Sequence, residues 1–289
     1  MSTINDPFDG PMTGPLVGPG SQPQDEDGGV LEYMQMPSGM MTFEAPDLPE
    51  PEETGGLSDG LGVLETLVGH LKGYDPKGPA RRLDLSHLEP ANLDLVNQAL
   101  GEGEVSVIGG AHLQAQESVL AGVWRVRRTP GGEYPAADYV EVGAFPTEVL
   151  DSVFETAQDA VTMPDTLGPN IFNAPPLVPE INEHVAGSGE ASGPHVINLS
   201  LLPHTEEDLA FLAERLGPGS ATILSRGYGN CRISSTGTKN TWWVQFYNSQ
   251  DALILNSIEI VRVPEVACAA PEDIADSAER LEEILGVYR

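Results

Sequence analysis

The hydrophobic pattern of this chain runs through one order of elements twice. Leu64, Leu67, Val68 and Leu71 recur at three- and four-residue spacings, which predicts a helix over residues 61–72. After a Pro/Gly connection at 74–80, residues 83–85 read as a short extended segment. Leu93, Leu95, Val96 and Leu100 then place one apolar face on a second helix, stopped by Gly101. Strand-like runs follow at 104–108, 119–127 and 139–142, with Thr129-Pro130-Gly131-Gly132 as a hairpin turn, and a helix is predicted over 147–157.

The second pass opens on Ile197-Asn198-Leu199, which matches Leu83-Asp84-Leu85. Thr205 is the predicted N-cap of the next helix, with Glu206, Glu207 and Asp208 in a first turn where the helix dipole favours anions. Leu209, Leu212 and Leu216 form its stripe and Gly217 ends it. Strands are predicted at 220–224, 241–247 and 253–262, with a turn at Tyr247-Asn248-Ser249. A last helix at 271–285 buries Ile274, Ala278, Leu281 and Leu285.

Residue identities strengthen the match. Trp124-Arg125-Val126 precedes Val140-Glu141-Val142 and Pro146, while Trp242-Trp243-Val244 precedes Ile258-Glu259-Ile260 and Pro264; each glutamate follows its tryptophan by 17 residues. A repeat this long exceeds solenoid periods and predicts two fused small domains. The expected fold class is α+β: two tandem duplicated units, each a small antiparallel sheet packed with helices. The expected boundaries are a tail at 1–60, a first unit at 61–170, a linker at 171–192 and a second unit at 193–289. Pro-rich 164–179 and soft 187–193 mark the linker.

Composition changes the picture at the N-terminus. The first 60 residues hold 12 acidic side chains, no Lys or Arg, and 19 Pro or Gly. This stretch buries too little apolar surface to offset its ordering entropy, which predicts a disordered acidic tail. Within it, residues 31–36 and 40–43 form an apolar island suited to folding on a partner or covering a seam of the chain itself. The formal net charge of −30 leaves −18 on the remainder after the tail's −12. Such a chain repels phosphate and anionic lipid, so nucleic acid and membrane surfaces are not expected partners. No run of 18 apolar residues spans a membrane, and no signal peptide opens the chain. Two cysteines, Cys231 and Cys268, fit free thiols in a reducing cytoplasm.

Candidate chemistry is sparse. Arg226-Gly227-Tyr228-Gly229 could bring backbone amides to a ligand, yet no Gly-Lys-Ser/Thr closes a phosphate loop, and a glycine-allowed turn is the plainer reading. Cys231 lies between Arg226 and Arg232, a setting for a lowered thiol pKa or for a passenger cysteine. Six scattered histidines make no local metal motif. Trp124 and Trp242 are either sheet core or aromatic anchors of a binding face. Glu141 and Glu259 either face solvent, pair with an arginine, or receive a basic partner. The candidate partner-binding set is therefore Trp124, Glu141, Arg226, Gly227, Tyr228, Gly229, Trp242 and Glu259. No residue is assigned to catalysis, a metal or a cofactor, and the chain is not expected to be an enzyme.

Longer strings carry a family likeness. Gly18-Pro19-Gly20-Ser21-Gln22-Pro23, Leu100-Gly101-Glu102-Gly103-Glu104-Val105, Gly122-Val123-Trp124-Arg125-Val126-Arg127-Arg128, and the string from Ile260 to Leu281 together resemble the HupH/HyaF family of [NiFe]-hydrogenase maturation proteins. The resemblance implies a cytoplasmic accessory protein that holds the iron–sulfur small-subunit precursor before assembly and export, beside other hydrogenase maturation proteins. It implies no catalytic set. Two alternatives stay open: a metal or cluster carrier assisting nickel or iron insertion, and an enzyme acting on the precursor.

Overall fold

Alternation of buried and exposed positions sorts the strands of this chain into one sheet with two differently clothed faces. The computed structural model describes residues 55–131, 134–187, 193–227 and 229–288, all within one compact unit, Phe43–Arg289. The tail expected to be disordered lies outside the described residues as far as residue 54. In chain order the elements are α1 (Ser58–Lys72), β1 (Arg81–Asp84), α2 (Pro90–Leu100), β2 (Val105–Gly109), β3 (Leu113–Glu117), β4 (Val123–Arg128), β5 (Ala137–Val142) and α3 (Thr147–Ser152). Then come α4 (Leu177–Gly187), β6 (His195–Asn198), α5 (Glu206–Leu216), β7 (Pro218–Ser225), β8 (Asn230–Thr236), β9 (Thr241–Tyr247), β10 (Leu253–Ile260) and α6 (Pro271–Gly286).

The sheet order is β1-β5-β4-β3-β2-β7-β8-β9-β10-β6, antiparallel throughout. Two small sheets were expected; the described residues form one sheet of ten strands. The join is β2 against β7, with Val107 opposite Ile223. Outward from it, the strand order of one half mirrors that of the other. Four further differences stand out. β3 and β8 were not foreseen, α4 occupies the stretch read as linker, α3 is shorter than expected, and α1 begins inside the stretch assigned to the tail.

Register separates the faces. Trp124, Val126, Val107, Ile223, Ile233, Trp242 and Val244 share one face and one core cluster spanning the join, roofed by Phe145, Val149 and Val153 from one half and Ala267 from the other. The opposite face carries two separate cores. Val123, Val140 and Val142 pack under α1, α2 and α6, whereas Ile197, Ile258 and Ile260 pack under α4 and α5. The last helix thus returns to the first half. Gly122 shows how closely: its φ of 75° suits glycine, and a Cβ there would lie 2.4 Å from Ile274 of α6.

Asp208 fastens the connection between halves. It is fully buried at the third position of α5, where Thr205 and Asp208 form a reciprocal capping box. Its Oδ1 also accepts from the backbone N–H groups of Phe172, Asn173 and Ala174, at 2.8, 3.0 and 3.0 Å. Burial alone would raise its pKa, but these donors outweigh that and hold it near 2. Asp208→Ala strands three backbone donors, one buried and two part-buried, and removes half of a capping box. The expected loss is about 3 kcal/mol or more by urea denaturation, with faster amide exchange at 172–174. A loss below about 1 kcal/mol would show that the connection is held elsewhere.

Candidate functional site

The two tryptophan–glutamate pairs sit in equivalent registers. Trp124 lies opposite Glu141 across β4–β5, and Trp242 opposite Glu259 across β9–β10. Each indole N–H donates to a backbone carbonyl just beyond the following strand, Trp124 to Gly143 at 3.0 Å and Trp242 to Val261 at 3.1 Å. Each ring meets a phenylalanine edge-on, Phe145 at 5.4 Å and Phe154 at 5.2 Å. Both tryptophans are fully buried, which makes them core residues in place of surface anchors.

The glutamates diverge. Glu141 is fully buried and doubly held: Arg82 Nε donates to Oε2 at 2.8 Å, and the Thr147 N–H at the start of α3 donates to Oε1 at 2.7 Å. Arg82 also donates to Thr147 Oγ1 and lies over the Tyr139 ring. Tyr139 in turn donates to Glu148, which Arg128 grips; burial, then this hydrogen bond, push its phenol pKa up. Glu259 is half-buried. Its neighbour on the outer strand is Val196, and it makes no hydrogen bond or ion pair among the described residues. Burial, then the charge of Glu265, raise its pKa.

The glycine turn joins β7 to β8. Gly229 takes a φ of 97°, and Gly227 packs so closely on the Glu104 carboxylate that a Cβ would overlap it. The Arg226 N–H donates to the Glu104 carbonyl at 3.1 Å. A negative group against the turn fits a β-hairpin connection, not a cradle for phosphate. Arg226 is exposed, and Tyr228 lies outside the described residues. Cys231 faces the shared core at 3 % exposure; burial, then Glu259, push its thiol to about 12, the reverse of an activated nucleophile. Cys268 is likewise pushed up to about 12, by burial first. His184 and His195 stack, with His195 Nε2 2.8 Å from Glu180. No group of three His, Cys, Asp or Glu among the described residues is placed to hold a metal.

Sequence reasoning missed three features. The face opposite the tryptophans is uncovered at the join, where Ile108 and Leu224 are 54 % and 43 % exposed between the two helical layers. An open cleft of about 540 Å³ lies by the β2–β3 turn, lined by His112, Tyr134, Arg82, Arg128, Glu148 and Asp151 among others. Glu117 is buried at 8 % exposure, with the Gly122 N–H as donor at 3.1 Å. Isolated carboxylates in strands give no sequence signal of burial; its pairing with Trp124 emerges only from the register.

The family model described as "HupH hydrogenase expression protein, C-terminal conserved region" matches residues 57–167 and again 171–288. The hydrogenase expression/formation protein HoxQ of Cupriavidus necator is 45 % identical over 95 % of this chain and 96 % of its own length. HupH of Rhodobacter capsulatus is 44 % identical over 93 % and 95 %, and the hydrogenase-1 operon protein HyaF of Escherichia coli 33 % identical over 92 % and 93 %. A solved structure of the hydrogenase expression protein HupH from Thiobacillus denitrificans is 32 % identical, covering 39 % of this chain and 95 % of that one at a TM-score of 0.38. Among the described residues no helix is long and apolar enough to cross a membrane.

Glu117 gives a direct readout of the buried site. Burial raises its pKa to about 7, Glu104 and Asp273 add to the rise, and the Gly122 N–H opposes it. The folded state therefore holds a proton that the unfolded chain releases near 4.5, so this residue's contribution to stability declines as pH rises from about 4.5 to about 7. Glu117→Gln should remove that decline and exceed wild type by up to about 3 kcal/mol at pH 8. Parallel pH–stability profiles for the two proteins would refute the assignment. Native Cys231 should also resist alkylation at pH 8 and react once the protein is unfolded; mass spectrometry of labelled peptides reads both states.

Proposed function

The chain belongs to the HupH hydrogenase expression protein family, and from that membership we propose that it is an accessory protein of [NiFe] uptake-hydrogenase maturation, acting in the cytoplasm as a chaperone of the iron–sulfur small-subunit precursor. The observation that carries the reading is full-length kinship, 45 % identity over 95 % of the chain, to a protein named for hydrogenase expression and formation. The chemistry of the candidate residues agrees. The tryptophans are core, both thiols are raised, and Glu141 is neutralised by Arg82, which are the marks of a scaffold. A net charge of −30 favours a basic protein surface as partner and speeds encounter with it.

The architecture fits an origin by internal duplication. One family model matches two successive stretches, the element order recurs, and both tryptophan–glutamate pairs share a register. On this reading the units are 61–170 and 193–289, grown together into one sheet. Doubling supplies two related surfaces and so a route to multivalent grip. Candidate contacts on that surface are Arg226, Gly227, Gly229 and Glu259, which the fold leaves at least partly exposed.

Co-expression of the tagged full chain with the hydrogenase small-subunit precursor should give a co-purifying complex at low salt. Retention should fall several-fold between about 50 and 500 mM salt as surface charge is screened. Absence of a complex at every ionic strength would overturn the chaperone reading. Stoichiometric nickel or iron in chelator-free protein would favour a carrier.

A further inference from the structure

The two open edges of the sheet are built differently, although their strands occupy equivalent places. On β1, Arg81, Arg82 and Asp84 line the edge; Arg82 pairs with Glu141, and Asp84 accepts from Ser86 with His87 3.7 Å away. Charged, self-satisfied side chains of this kind keep foreign strands from pairing. The other edge, β6, reads His195-Val196-Ile197-Asn198 and carries no Lys, Arg, Asp or Glu; its titratable group, His195, sits 2.8 Å from Glu180 at the start of the strand. Where Arg82 stands across from Glu141, Val196 stands across from Glu259, 51 % exposed.

Three observations converge on this edge. Glu259 is a half-buried carboxylate that makes no ion pair among the described residues, and the charged group acting on it is Glu265, of like sign. Leu201 and Leu202 follow β6, Leu253 and Ile254 begin its partner β10, and all four are more than 40 % exposed. The turn after β6 is tied to that strand by the Asn256 N–H, which donates to Ser200 Oγ at 2.8 Å, so the apolar side chains belong to one end of one edge. Exposed apolar groups at one end of the edge, with an uncompensated carboxylate toward the other, suit a ligand that is extended, partly apolar and cationic.

We infer that β6 is a docking edge for an extended segment of another protein, which adds as a further strand and brings an arginine to Glu259. The segment's backbone pairs with the outer groups of β6, its apolar residues cover Val196 and the neighbouring leucines, and its guanidinium completes the pair that Arg82 completes with Glu141 in the other half. The inference deepens the accessory-protein reading and rests on it for the existence of a protein partner.

The test uses the full-length protein and a labelled synthetic peptide of alternating Val and Thr around one Arg. Two control peptides carry Gln in place of the Arg, or N-methyl groups at alternate amides. Wild type should bind the first peptide about tenfold or more tightly than either control, with slowed amide exchange at 195–198. Val196→Arg should weaken binding by a similar factor while melting no lower than wild type, since it installs the missing counter-charge. Glu259→Gln should weaken it too, and Val196→Thr should not. No binding by wild type, or equal binding by Val196→Arg, or equal binding of the Arg and Gln peptides, would overturn the inference. The small-subunit precursor separates the two readings. If it binds wild type and Val196→Arg alike, the edge assignment fails and the accessory role stands. If it binds neither while the peptides behave as expected, the accessory role fails and the edge stands.

Discussion

Pairing of β2 with β7 is the constraint on which the rest of this structure depends. Each strand is the innermost member of its half, and each has an alternating row, Val105 and Val107 on one, Ala221 and Ile223 on the other. Left unpaired, either would be a long apolar edge, the kind of surface that recruits foreign strands. Joined, they make the tryptophan face continuous, so that one core draws on both halves. The return of α6 to α1 and α2 adds a second tie between sequence-distant segments, with Ile274 and Leu281 buried among Leu64, Leu67 and Leu95. Contacts of this separation carry a large loop-closure cost, which links the integrity of either half to that of the other.

Much of this was legible locally and little of it globally. Thr205 with its acidic first turn announced α5, and the structure adds the reciprocal bond from the Thr205 N–H to the Asp208 carboxylate. Leu93 to Leu100 and Ile274 to Leu285 gave α2 and α6 because a helix face is written within a single segment. β3 reads Leu-Gln-Ala-Gln-Glu and β8 Asn-Cys-Arg-Ile-Ser-Ser-Thr, polar strands whose identity comes from neighbours on either side. α4 hid behind prolines, yet Pro179 falls in its first turn, where the missing N–H is harmless. That the two halves form one sheet was illegible, since an inner edge and an open edge carry the same alternation. Of the candidate residues, the register made the glutamates comparable; burial removed the tryptophans from the surface.

The acidity of the surface follows directly from the composition. The chain has 14 Lys and Arg against 44 Asp and Glu, and several of the arginines are paired with carboxylates in the first half. Arg125 is 8 % exposed between Asp138 and Asn97, Arg128 grips Glu148, and Arg82 serves Glu141. Partly buried pairs of this sort stabilise little on balance, because desolvation offsets most of the attraction; they do fix which side chain faces which. Each such pair takes one cation and one anion together, so the acid excess set by the composition is unchanged. What remains outside is a strongly negative body that disfavours phosphate and lipid headgroups and favours cationic polypeptide.

The halves also differ in how their carboxylates are compensated, and that difference carries a physical consequence. In the first half, Glu141 at the tryptophan–glutamate position meets donors from its own chain, Arg82 and the Thr147 N–H, and the edge is closed by charge. The second half has a glutamate at the same register but valine where the first has arginine, a residue of good strand preference that supplies no counter-ion. A half-buried carboxylate without a partner costs stability, through desolvation that nothing among the described residues repays. Stability alone gives no reason for a half-buried glutamate to stand across from valine. A glutamate so placed makes sense where its counter-charge arrives from outside, as on the docking-edge inference.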